Sequence, residues 1–168
     1  MNSKTELLLK IMRFLAWIAF IGLLIKAGAL IMAFGVSIDN SEAAKDLYRG
    51  MDLSRYETYS FVQYSMIVMY HILVYIMLAY IALFATKLLS TINIEKPVTK
   101  TVADLLNKIS IAILGVLILA ILHNVHVAIL EKYEAIIPEY IASEFIFLAG
   151  IVYVLAELFK RNLKNEIQ

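Results

Sequence analysis

The chain contains no cysteine among its 168 residues. Disulfides, thiol catalysis, iron–sulfur clusters and thiolate zinc sites are therefore excluded. Proline occurs only twice, and charged side chains make up 17% of the chain, against roughly 25% in a soluble domain. Fifteen basic and fourteen acidic side chains leave a formal charge of +1, which gives no electrostatic basis for direct nucleic-acid binding. Period-2 alternation is missing from the long apolar runs, which excludes a membrane β-barrel. What is present is apolar: 62% of residues, with a mean hydropathy of +0.81. Such a chain belongs in a bilayer, with most of its surface facing lipid. At about 20 residues per span plus connections, its length holds four helices comfortably and five at most.

Four apolar stretches, at about 11–36, 61–89, 109–130 and 136–159, all exceed the roughly 18 residues that a helix needs to cross a bilayer. The expected fold is all-α: a single polytopic membrane domain over 1–168, built as an antiparallel bundle of four transmembrane helices. Ten Lys and Arg lie at the N-terminus (Lys4, Lys10, Arg13), in the second connection (Lys87, Lys96, Lys100, Lys108) and at the C-terminus (Lys160, Arg161, Lys164). Only four lie in the other two connections (Lys45, Arg49, Arg55, Lys132), which are rich in Asp and Glu. The positive-inside rule then places both termini and the second connection, 90–108, in the cytoplasm, and the loop 37–60 outside. The first stretch also has the order of a signal peptide, with Ala27-Gly28-Ala29 after an apolar run. Lys26 immediately before that site, and the apolar run resuming to Val36, favour a retained span.

Within the outer loop, Ala43 to Tyr48 has the composition of a short surface helix, and Tyr56, Tyr59, Tyr64, Tyr70, Tyr133 and Tyr140 read as an aromatic belt. In the second connection Pro97 ends one helix, and Thr99 or Thr101 caps the next. Val102, Leu105, Leu106 and Ile109 recur at helical spacing, so this face is expected to lie on the inner leaflet before the third span.

Ionisable side chains inside spans are costly and mark candidate functional positions. Lys26, His71, His123, His126 and Glu144 form this set. At 1.5 Å per residue, Lys26, His71, His123 and Glu144 all lie roughly 10 to 15 Å below the outer surface, in one layer. Ala19, Gly22, Lys26, Ala29 and Ala33 share one helical stripe. Small residues at that spacing let helices approach closely, so Lys26 is expected to face protein, with Glu144 as counter-charge or with its ammonium snorkelling outward. His123 and His126 share a face, and His71 comes from the neighbouring span. Three imidazoles with Glu144 have the donor set for Zn²⁺, and His71 with His123 the pair for a haem. Scattered histidines in a bundle more often hydrogen-bond to neighbours, and no metal or cofactor is expected. Asn124 is expected to hydrogen-bond across helices.

No nucleophile elbow, phosphate-binding loop or zinc-protease motif occurs, so no enzymatic activity is expected. Lys87-Leu88-Leu89-Ser90, Glu95-Lys96-Pro97-Val98-Thr99, Leu105-Leu106-Asn107-Lys108-Ile109, 145–150 and 154–161 together resemble the bacterial membrane-protein family catalogued as domain of unknown function 2975. The family commonly has an aromatic residue where Val98 stands and a glycine where Asn162 stands. The resemblance implies a four-span protein of the bacterial cytoplasmic membrane. The function expected from these readings is a sensor or regulatory partner in envelope signalling. Its partners are then the lipid bilayer and a cytoplasmic regulatory protein or a second copy of the chain, engaged through Lys96, Lys100 and Lys108. The alternative is a membrane protein that binds a small molecule, metal or haem through the outer-half Lys, His and Glu cluster.

Overall fold

The computed structural model describes residues 3–48, 50–92, 99–134 and 153. Every regular element among them is helical. Helix α1 (Ser3–Asp39) is followed by a 3-10 turn (Ser41–Asp46), a short α2 (Ser54–Tyr59), and the long helices α3 (Phe61–Thr91) and α4 (Lys100–Glu134). No proline interrupts the three long helices. In lipid, where no water pairs with the backbone, a helix satisfies its own N–H and C=O groups. Three segments, Glu6–Asp39, Phe61–Thr91 and Lys100–Lys132, are long and apolar enough to cross a membrane. They are compatible with a multi-pass membrane protein. The expected fourth span at 136–159 lies outside the described residues except for Tyr153, which is helical and packs against Phe84, Leu105, Ile109 and Ile113.

Helix α3 is the central element, packed on α1 along one side and α4 along another. Both pairs are antiparallel. Ser37 near the end of α1 meets Tyr64 near the start of α3, and His71 early in α3 meets His123 late in α4. The face that α1 presents to α3 is Ala27, Leu30 and Ser37, with half-buried Phe34. This is displaced by one residue, about 100° of rotation, from the expected small-residue stripe. Ala19 and Gly22 are exposed, and a Cβ on Gly22 would meet nothing within 4 Å. Because α1 is apolar on every side, residue size alone did not fix its rotation. The close approach lies instead between α3 and α4, where a Cβ on Gly115 would collide with the terminal methyl of Met77.

The connection between α3 and α4 is shorter than expected, because α3 continues to Thr91 and α4 begins at Lys100. Thr99 Oγ1 accepts from the Val102 amide at 3.3 Å and so caps α4. Val102, Leu105 and Ile109 are buried, and Leu105 and Ile109 pack on Phe84 of α3. That face therefore docks on a neighbouring helix rather than on the leaflet: α4 runs straight from its first turn, and α3 is long enough to meet it.

The connection between α1 and α3 folds into a cap. Ala44, Leu47, Leu53 and Tyr56 are buried in one cluster with Leu30, Tyr64, Ile67, Val127 and Leu130 from the long helices. The cap is closed by the Leu53 amide donating to Ala44 O at 2.9 Å and the Leu47 amide to Met51 O at 3.0 Å. Gly50 takes the left-handed φ of 85° that this tight chain reversal needs, and its amide donates to Asp46 Oδ1 at 2.8 Å. The expected surface helix is the 3-10 turn, and its Ala44 points into the core. The aromatic-belt reading fails for Tyr56 and Tyr64, which are buried core residues, while Tyr59 remains exposed. The side chains of Tyr133 and Tyr140 lie outside the described residues.

Candidate functional site

Constant helical rise makes depth additive along each span, and antiparallel packing of α3 on α4 brings His71, His123 and His126 together. The His71 and His123 rings meet edge to face with centroids 4.7 Å apart. The Tyr70 ring lies 5.7 Å from His123 and 5.9 Å from His126, each edge to face. His123 is fully buried, and His71 nearly so.

The hydrogen bonds assign the tautomers. His71 Nδ1 donates to the Ile67 carbonyl, one turn back, at 3.0 Å. His123 Nδ1 faces Asn124 Oδ1 at 3.1 Å, and His126 Nε2 faces Gln63 Oε1 across the helix pair at 2.6 Å. With both amide oxygens accepting, those two ring nitrogens carry the hydrogens. His123 Nε2 and His126 Nδ1 are then lone-pair acceptors, buried and without a hydrogen-bond partner among the described residues. Buried polar atoms are usually paired, so these two acceptors are the least ordinary feature of the described helices.

Lys26 comes from the other side of α3. Its ammonium lies 5.4 Å from the centroid of the Tyr75 ring, and Tyr75 is one turn C-terminal to His71 on the same helix. Lys26 is half-buried, so the expectation that it faces protein holds in part, with an aromatic ring as its described neighbour. Glu144 lies outside the described residues. Among the described residues no group of three or more His, Asp or Glu is arranged to hold a metal ion. The edge-to-face contact of His71 with His123 leaves no gap for a haem plane between these rings.

Outside the spans, Lys45 Nζ donates to Glu42 Oε2 at 2.7 Å, which raises the lysine pKa, in an exposed ion pair of small energetic weight. Asp52 accepts from the Ser54 hydroxyl at 2.6 Å and its amide at 2.9 Å, which holds the carboxyl below the usual aspartate value.

Compared with family models, curated proteins and solved structures, the chain matches none.

Of the expected partner-binding lysines, Lys100 and Lys108 are exposed on α4, and Lys96 lies outside the described residues. Gln63 and Tyr75 were not singled out from sequence, and Tyr70, expected in the aromatic belt, is half-buried against His123 and His126. A signal for Gln63 exists, since it precedes Tyr70 and His71 by seven and eight residues and so shares their helical face. Nothing comparable marks Tyr70 or Tyr75 among ten tyrosines.

Proposed function

We propose that the chain is a non-enzymatic membrane sensor or regulatory partner, related to the family of unknown function 2975. In this reading it is a four-span antiparallel bundle in a bacterial cytoplasmic membrane, with both termini cytoplasmic. The observation that carries it is the core shared by cap and helices. Burying Leu47, Leu53 and Tyr56 away from water stabilises the docked cap by roughly 1.5–3 kcal/mol per large side chain. Cap geometry and helix packing therefore form one equilibrium. Ile67 belongs to that core, and its carbonyl receives the His71 hydrogen bond; Val127 belongs to it and neighbours His126 on α4. An envelope signal that reshapes the cap would thus reach the histidine layer first and then the inner ends of α3 and α4, where Lys96, Lys100 and Lys108 engage a cytoplasmic protein. The basic asymmetry of the connections supports the orientation, and the packing of Tyr153 on the α3–α4 pair supports a fourth helix.

The test is recovery of a crosslinked cytoplasmic partner from intact membranes. Lys96, Lys100 and Lys108 exchanged together for Gln should reduce recovery, and so should Tyr56→Ala in the cap, with the inserted amount unchanged. Recovery insensitive to both refutes the proposal.

The unpaired nitrogens of His123 and His126 favour a second reading, capture of a small ligand that donates hydrogen bonds or acts as a Lewis acid. An absorbance spectrum and metal analysis of the purified protein, with a His123→Ala control, separate the two. A ligand lost in that variant establishes the second reading.

A further inference from the structure

Phe84 occupies the inner end of the α3–α4 seam, almost fully buried against Leu105, Ile109 and Ile113 and in edge-to-face contact with Tyr80 at 4.3 Å. Two ammonium groups converge on this one ring. Lys87, from α3, lies 5.4 Å from its centroid, and Lys108, from α4, lies 5.5 Å from it. The two charges are thus within about 11 Å of each other, on flexible stems rooted in different helices. The one ion pair among the described residues is Lys45 with Glu42 at the opposite end of the bundle, so neither ammonium is neutralised by a described carboxylate. Asp104, one helical turn from Lys108, is exposed and makes no ion pair. Both lysines are exposed at this end of the seam, where an anion can reach the two ammonium groups together.

Depth identifies the missing anion. Lys87 lies 26 residues beyond Phe61 along α3, and Lys108 lies 24 residues before Lys132 along α4. At 1.5 Å per residue these are roughly 39 and 36 Å, past a hydrocarbon core of about 30 Å and within the headgroup layer of the far leaflet. Basic pockets between transmembrane helices at this level suit lipid phosphates.

We infer that Lys87 and Lys108, seated over Phe84, form an interhelical site for the phosphate of an anionic phospholipid headgroup. Lipid bound there bridges α3 and α4 and clamps their inner ends together. The site does not depend on the sensor reading, although Lys108 belongs to both: purified protein with no cytoplasmic partner tests the lipid alone.

The experiment measures lipid retention by native mass spectrometry and by thermal stability. The protein is reconstituted with phosphatidylcholine or with phosphatidylcholine containing phosphatidylglycerol. Anionic lipid should be enriched and should raise the melting temperature. Lys87→Gln with Lys108→Gln should lower the enrichment roughly fivefold per lysine, about twenty-five-fold together. Lys87→Arg with Lys108→Arg should retain it and so confirms folding. Lys10→Gln with Arg13→Gln, an equal loss of charge at the same end, should leave most of it. Equal losses in the two Gln pairs would show general surface attraction and overturn the site. Displacement of the lipid by millimolar inorganic phosphate would show a free-anion site and overturn the lipid assignment.

Discussion

The seam between α1 and α3 can be tested at one hydrogen-bonded pair whose donor order is fixed. Ser37 Oγ lies 2.7 Å from the Phe34 carbonyl and 2.6 Å from Tyr64 Oη. Serine has one hydroxyl hydrogen and the carbonyl can only accept, so Ser37 donates to Phe34 and Tyr64 donates to Ser37. Both residues are buried. Tyr64→Phe removes a donor and leaves Ser37 still bonded to Phe34; the expected cost is about 0.5–1 kcal/mol, in the range measured for interhelical bonds in membranes. Ser37→Ala removes the acceptor and strands a fully buried hydroxyl donor, so about 1–3 kcal/mol is expected. The double variant has no stranded group and should cost less than the two singles together, with a coupling of about 1 kcal/mol. Equilibrium unfolding in bicelles, run as a double-mutant cycle, measures all three. Additive costs, or Tyr64→Phe costing more than Ser37→Ala, would refute the assigned direction of the bond and its role in joining α1 to α3.

At Gly115, Ala should cost under about 1 kcal/mol because the Met77 methyl it meets can swing aside, whereas Leu should cost about 1–3 kcal/mol by overpacking; equal costs in the same unfolding assay would refute a close helix approach. Lys26→Met should couple to Tyr75→Leu by about 0.5–1 kcal/mol through the lost cation–π contact; negligible coupling there with strong coupling to Glu144→Gln would make the carboxylate the true partner. The pKa of Asp52 is lowered on folding from 3.8 by its bonds to Ser54, so its contribution is present above that value and disappears as pH falls through the folded pKa. Protection of the amides of 52–59, taken relative to their intrinsic exchange at each pH, should therefore fall on acidification below about pH 4 in the native chain, with a weaker pH response in Asp52→Asn.

The number of residues between a polar group and a span end was legible because helical rise is constant, and His71 and His123, which counting put in one layer, meet edge to face. Rotation about the axis was not legible for α1, because leucine, isoleucine and phenylalanine surround it and no polar face points outward. Its contact face is the stripe of Ala27, Leu30 and Ser37, with small residues of the neighbouring stripe partly left to lipid. In the loop 37–60, Ala44, Leu47, Leu53 and Tyr56 are scattered among charges with no sustained period. Their burial depends on docking against Tyr64 and Leu130, a tertiary relation absent from local pattern. The same holds for Tyr56 and Tyr64, which in sequence look like any interfacial tyrosine. Val102, Leu105 and Ile109 had the right period but two equally apolar surfaces to face, leaflet or α3, and only the extent of α3 to Thr91 decides between them.

Mechanical continuity from the cap to the far ends of the helices is most directly measured by spin-label distances, which the cysteine-free chain permits without background labelling. Cysteines at the exposed positions Ser90 and Thr101 report the ends of α3 and α4 away from the cap, and a second pair at Glu42 and Thr58 reports the cap. Tyr56→Ala, which removes a buried cap side chain from the shared core, should broaden the cap distances and also shift the Ser90–Thr101 distribution in reconstituted protein. A cap that loosens while the Ser90–Thr101 distribution stays unchanged would contradict transmission through the bundle.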